Sequence, residues 1–98
     1  MKAQAATGIA AIVLHERDDV AVLIRPIGAG ELVTVAGARG RLTLRAKASL
    51  ALGHKLALRA MPAGSDIRKY GEVIGRLTAD VAAGDHIHVH NLASLRAH

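Results

Sequence analysis

The chain has no cysteine, no phenylalanine and no tryptophan, and its 98 residues include one tyrosine, Tyr70, and two prolines. Without cysteine there is no disulfide framework, no thiolate metal site and no cysteine nucleophile. That composition fits a reducing, cytoplasmic setting. Without large aromatics the core must be built from Leu, Ile, Val and Ala, although 51% of the chain is hydrophobic. Such a core buries modest area per side chain, and a chain this short gains from partner surface. A long apolar run is missing too. The stretch Ala3 to Leu14 falls short of the ~20 residues that span a bilayer. It runs directly into His15-Glu16-Arg17-Asp18-Asp19, with no small-residue cleavage site after it. It reads as a frayed start, residues 1–8, followed by a first strand, so no membrane role is expected.

Acid is absent from residues 39–59, which carry Arg39, Arg41, Arg45, Lys47, Lys55 and Arg59. Elsewhere the two signs nearly balance, so the net charge of +5 reads as one central basic patch. Nucleic acid is the reflex partner for such a patch. Single-strand binders, however, stack bases on aromatic side chains, and this chain offers at most Tyr70. No helix-turn-helix or zinc-finger pattern is present. A small carboxylate, an acidic partner face or a solvated strand face remain as explanations, and no nucleic-acid role is expected.

Ten glycines separated by short apolar runs argue for strands and turns. Period-two alternation marks Arg41–Arg45 and His86–His90. The near-continuous apolar runs Ile9–Leu14 and Val20–Ile24 suit strands buried on both faces or at an interface. Only Ala46–Leu52 and Leu92–His98 are compatible with helix, and both are short. One element recurs three times: Ile27-Gly28-Ala29-Gly30-Glu31-Leu32-Val33, Met61-Pro62-Ala63-Gly64-Ser65-Asp66-Ile67 and Val81-Ala82-Ala83-Gly84-Asp85-His86-Ile87. Each copy places a glycine, able to adopt positive φ, between apolar anchors. The unequal spacing excludes a solenoid. The copies read as three turns of a single all-β domain over residues 1–98, with a fourth turn at Lys69-Tyr70-Gly71-Glu72 and a tail at 92–98.

Among six histidines, His86, His88 and His90 alternate with Ile87 and Val89. On an extended strand they share a face, about 6.8 Å between neighbours and about 13 Å between the outer pair, at ~3.4 Å per residue. Metal–nitrogen bonds are ~2.0–2.1 Å long. One ion therefore reaches two neighbours, and all three only if the strand breaks. His15, His54 or a partner carboxylate is the candidate third ligand. A polar hydrogen-bonded face, metal ligation and proton or substrate handling all fit this pattern. Gly53-His54-Lys55 and Lys69-Tyr70-Gly71 are the other polar clusters. Lysine neutralises a carboxylate, and tyrosine or histidine moves a proton at a hydroxyl-bearing carbon, while turn scaffolding explains the same residues. No nucleophile elbow, phosphate loop or dinucleotide fingerprint is present.

The order of motifs is familiar. Gly53-His54-Lys55, Ala57-Leu58, Ala63-Gly64, Lys69-Tyr70-Gly71-Glu72, Ile74-Gly75, Ala79-Asp80, Ala82-Ala83-Gly84 and His86-Ile87-His88-Val89-His90-Asn91 resemble the N-terminal SAF domain of altronate dehydratases. Ile12-Val13-Leu14-His15 with Asp19-Val20-Ala21-Val22 is similar to that domain's opening. The likeness covers roughly residues 12–95. It implies a SAF-type β-clip fold with little helix, in the group of altronate dehydratases, galactarate dehydratases and sulfolactate lyases. Those enzymes remove water, or sulfite, from α-hydroxy acids and leave 2-keto acids. The His-x-His-x-His-Asn ending favours the altronate or sulfolactate side. The loop Ala36–Arg41 and the basic strand after it match only loosely.

From the resemblance follow these expectations. The chain is the small subunit of a cytoplasmic sugar-acid dehydratase, inactive alone, working with a large catalytic subunit. Fe²⁺ or Mn²⁺ serves the assembled enzyme, with no cofactor assigned to this chain by itself. His54, Lys55 and Tyr70 handle substrate and protons, and His86, His88 and His90 supply metal ligands. The apolar runs Ile9–Leu14 or Val20–Ile24 are expected to help form either the contact with the large subunit or a homo-oligomer of the isolated chain. A non-catalytic SAF binding or regulatory module, the small subunit of a sulfolactate-type lyase and a free-standing metal-binding β protein are the competing readings.

Overall fold

The apolar runs become the middle of a curled sheet. In the computed structural model, which describes residues 8–95, β1 (Ile9–Val13) pairs antiparallel with β2 (Val20–Leu23) and parallel with β3 (Leu32–Gly37). Both strands are mostly buried, as continuous β-branched and alanine runs require. Only Leu14 and Ile24, at their ends, are exposed, so little of these runs remains for an interface. The expected frayed start lies outside the described residues except for Gly8.

Four further strands follow: β4 (Leu42–Arg45), β5 (Lys55–Ala57), β6 (Asp66–Lys69) and β7 (Glu72–Leu77). The two-residue β8 (His86–Ile87) and β9 (Leu92–Ser94) complete the set. They form a six-stranded sheet in the order β4-β3-β1-β2-β5-β8 and a three-stranded sheet in the order β6-β7-β9. There is no helix among the described residues, and none is long and apolar enough to cross a membrane. The all-β expectation holds. The two helix-compatible windows do not: Ala46–Leu52 is bends ending in a bridge between Ile27 and Leu50. The second window opens with strand β9, and its residues 96–98 lie outside the described residues.

Two cores replace one. Leu23, Val33, Val35 and Leu56 anchor the first, and Ile67, Leu77, Met61 and Ile87 the second. Burying each such side chain contributes about 1.5–3 kcal/mol, so two compact aliphatic clusters suffice without a large aromatic. The body is elongated, 48 × 24 × 21 Å.

The three repeats are three equivalent turns. Gly30, Gly64 and Gly84 have φ of 81°, 92° and 88°. In each turn the residue after the glycine donates back to the carbonyl three positions earlier: Glu31 to Gly28, Ser65 to Pro62, and Asp85 to Ala82. Each glycine N–H then bonds a neighbouring stretch, at Ala46, Leu77 and Ala57. Gly84 has a second constraint, because a Cβ there would lie 2.2 Å from the Arg45 carbonyl oxygen. The second and third turns are tied by an antiparallel bridge between Met61 and Val81.

The basic stretch 39–59 is not one patch. Arg45 bonds the Gly30 carbonyl and Lys47 pairs with Asp85. Arg39 and Arg59 enter one cleft, while Lys55 lines two other pockets. Folding the strands over one another sends alternate bases to different faces.

Candidate functional site

Strands β5 and β8 pair antiparallel, with Lys55 opposite Ile87 and Leu56 opposite His86. One more step of that register sets His54 across from His88. The extended face expected for His86, His88 and His90 does not form, because β8 stops at Ile87. The cause is Asn91, which is buried. Its Oδ1 accepts the His88 N–H at 2.9 Å, and its Nδ2 donates to the His86 carbonyl at 2.8 Å. Its own N–H bonds the His88 carbonyl, which closes a turn over 88–91.

The turn gathers the imidazoles. The rings of His86 and His88 stack with centroids 5.2 Å apart, and His54 lies 4.9 Å from His86 and 5.1 Å from His88. One ring nitrogen from each of His54, His86 and His88 lies within 4.8 Å of the other two. His54 Nδ1 and His86 Nε2 are 2.9 Å apart, with the proton on one of them according to tautomer. Two nitrogens at right angles on one ion would be about 3.0 Å apart, given bonds of ~2.1 Å. The His54–His86 pair is thus at ligand spacing. The spread of up to 4.8 Å over all three exceeds the ~4.2 Å that two such bonds span. One ion of the kind imidazole suits, such as iron, would need a small side-chain shift to reach all three. His90 sits beside His86, 5.3 Å between centroids, and is not one of the three.

His86 is pushed down to about 4, first by burial and then by the charge of His54, His88, His90 and Lys55. At neutral pH it is uncharged and offers a lone pair. The linkage has a definite sign. Unfolded chain binds a proton at this histidine as pH falls through about 6.5, while the native ring resists until about 4. The stability tied to His86 is complete above 6.5 and is lost as pH falls toward 4. Urea midpoints at pH 7 and pH 5 should show a loss that shrinks in His86→Gln. An equal loss in both proteins would contradict the assignment.

Lys55 is half-buried and held below the ordinary lysine range, by burial first and by Lys69 second. It lines two pockets that also share Ile74. One, of about 260 Å³, holds Lys69, Tyr70 and Glu72. The other, of about 240 Å³, holds His88, Val89 and Leu92. Two ammonium groups, with the Glu72 carboxylate in the same pocket, thus flank an apolar wall next to the histidine trio. Lys69 Nζ lies 5.0 Å from the Tyr70 ring centroid, a cation–π contact.

The Lys69–Glu72 turn is placed by a residue from the other end of the chain. Tyr70 and Gly71 both have positive φ, 58° and 78°, the pair of values that a two-residue hairpin turn needs. Tyrosine pays a steric penalty there. Asp18, 1% exposed, accepts the Tyr70 N–H at 3.1 Å and the Gly71 N–H at 2.8 Å. His15 packs behind the turn: a Cβ on Gly71 would come within 2.9 Å of its Nε2. His15 is therefore outside the histidine trio.

So His54, His86 and His88 come together, Lys55 and Tyr70 line pockets beside them, and His90 is peripheral to the trio. Sequence reasoning missed Asp18 and the structural part of Asn91, and it did not set Lys69 beside Lys55. Adjacent acids between two apolar strands were a signal for Asp18, but nothing in the sequence linked them to a turn about fifty positions on.

The altronate/galactarate dehydratase SAF domain model matches residues 9–95. The chain is 39% identical to altronate dehydratase of Escherichia coli and 36% identical to that of Bacillus subtilis, each over 82% of this chain and 15% of the relative. It thus spans only a small fraction of those proteins. It is 33% identical to (2R)-sulfolactate sulfo-lyase subunit alpha of Chromohalobacter salexigens, over 86% of this chain and 94% of that one.

Proposed function

The chain belongs to the altronate/galactarate dehydratase SAF domain family, and on that premise we propose that it is the small subunit of a cytoplasmic sugar-acid dehydratase. A separate large subunit completes the active site. The observation that carries this reading is the convergence of His54, His86 and His88 with Lys55 and Lys69 around adjoining pockets.

The reaction takes a proton from the carbon next to a carboxylate and expels hydroxide from the following carbon, leaving an enol that becomes a 2-keto-3-deoxy acid. Lys55 and Lys69 neutralise the carboxylate, which acidifies the neighbouring proton. Lys55, only half-solvated, bonds that anion more strongly than an exposed lysine would. Tyr70 holds or delivers protons at the substrate hydroxyls. His54, His86 and His88 would hold Fe²⁺ or Mn²⁺, which would supply a Lewis acid for the departing hydroxide. Burial above all keeps His86 unprotonated and ready to ligate.

One observation favours a second reading, elimination of sulfite from a sulfolactate-like acid. The chain matches nearly the full length of a sulfolactate lyase alpha subunit, and that name implies a multi-subunit enzyme. The same lysines would hold the same carboxylate.

Co-purification tests the subunit reading. A tagged chain expressed in its source cells should bring down a large dehydratase-type subunit, and the complex should form a 2-keto acid from altronate, or sulfite from sulfolactate. The purified chain alone should do neither. Turnover by the chain alone, or recovery of a concentration-independent monomer without partner, would leave it a binding module.

A further inference from the structure

A cleft of about 680 Å³ opens across β6 from the lysine pocket. Arg68 lines it while Lys69, the next residue, lines the pocket on the other side, as alternate residues of a strand do. Four segments contribute arginines. Arg17 comes from the β1–β2 loop, Arg39 from the β3–β4 turn, Arg59 from beyond β5 and Arg68 from β6. Residues so far apart in the chain meet here through the fold and not through a basic run.

The acids in the cleft are largely committed. Asp19 Oδ1 pairs with Arg59 at 2.6 Å, while its Oδ2 accepts the Arg68 backbone N–H at 2.8 Å. Asp66 pairs with Arg76 at 3.2 Å. Arg39 and Arg68 are held differently. Arg39 Nη1 donates to the Asp18 carbonyl at 3.4 Å and Arg68 Nη1 to the Gly71 carbonyl at 3.1 Å. A neutral carbonyl fixes a guanidinium without cancelling its charge, and leaves most of its donors free. Against Arg17, Arg39 and Arg68 stands Glu16.

We infer that this cleft is a binding site for a small molecule bearing two or more carboxylate or phosphate groups, separate from the proposed dehydration site. Planar guanidinium forks match those oxygens in pairs, and the cleft is open to solvent, so an anion reaches them directly. The site does not depend on the dehydratase reading.

Titration of the purified chain with citrate, and separately with inorganic pyrophosphate, at low ionic strength tests this. Calorimetry should show saturable binding of at least one anion, and preference between the two assigns carboxylate or phosphate. Arg39→Gln and Arg17→Gln should each weaken binding by about tenfold or more, the low end for a charge-assisted bond. Both side chains are exposed, so the variants should fold, as circular dichroism would confirm. Arg41→Gln removes the same charge outside the cleft and should leave binding unchanged, as should His88→Ala. Absence of saturation at millimolar anion would overturn the inference, even if Arg39→Gln lost the large subunit. Equal weakening by Arg41→Gln, or loss in His88→Ala, would also overturn it.

Discussion

Asp18→Ala should lower the melting temperature of the chain by roughly 10–20 °C. The substitution strands the N–H groups of Tyr70 and Gly71 beneath the β1–β2 loop, where Asp18 is buried. Hydrogen bonds to a charged group contribute about 1.5–3 kcal/mol each, and relief of carboxylate burial offsets part of that. A net loss of about 2–4 kcal/mol corresponds to that shift in a domain of this size. The left-handed Tyr70 also loses the contact that holds it there. Asp18→Asn retains one acceptor oxygen and should fall in between. Thermal unfolding followed at 218 nm by circular dichroism is the measurement. A shift of only a few degrees for Asp18→Ala would show that the turn holds itself.

The second large effect is on turnover. In the assembled enzyme, His88→Ala should cut kcat/KM at least ~10-fold, the low end for a positioned acid–base or metal-orienting group. Its melting temperature should hardly move, because His88 is exposed and its backbone N–H, which bonds Asn91, is retained. The deficit should respond to added Fe²⁺ or Mn²⁺ in a way that wild type does not. If the histidines only form a hydrogen-bonded surface, normal turnover and reduced stability would be seen instead.

What could be read from the sequence, and what could not, divides by range. The three glycine turns were legible because positive φ and flanking apolar anchors are local requirements, and Gly30, Gly64 and Gly84 meet them alike. Strands β1 and β2 were legible as apolar runs. Their burial on both faces followed, but the parallel partner β3 did not, since nothing local specifies a partner about twenty-four residues away. The histidine ending drew attention to His86, His88 and His90, and the fold brings the first two beside His54, yet the shape of that ending was misread. Alternation predicts an extended strand only when no side chain competes for its backbone groups, and Asn91 competes for two of them. The Asp18 clamp reaches across fifty-two positions to Tyr70, and the arginine cleft gathers four segments. Neither leaves a periodic trace.

Reconstitution with the large subunit separates a catalytic role for this chain from a structural one. The large subunit would be assayed for product formation alone, with wild-type chain, and with a chain carrying His54→Ala and His88→Ala together. The dehydratase reading predicts little product from the large subunit alone and full activity with wild-type chain. The double variant should still assemble but run at least ~10-fold slower. Full activity from the large subunit alone, or from the complex with the double variant, would contradict a catalytic contribution from this chain.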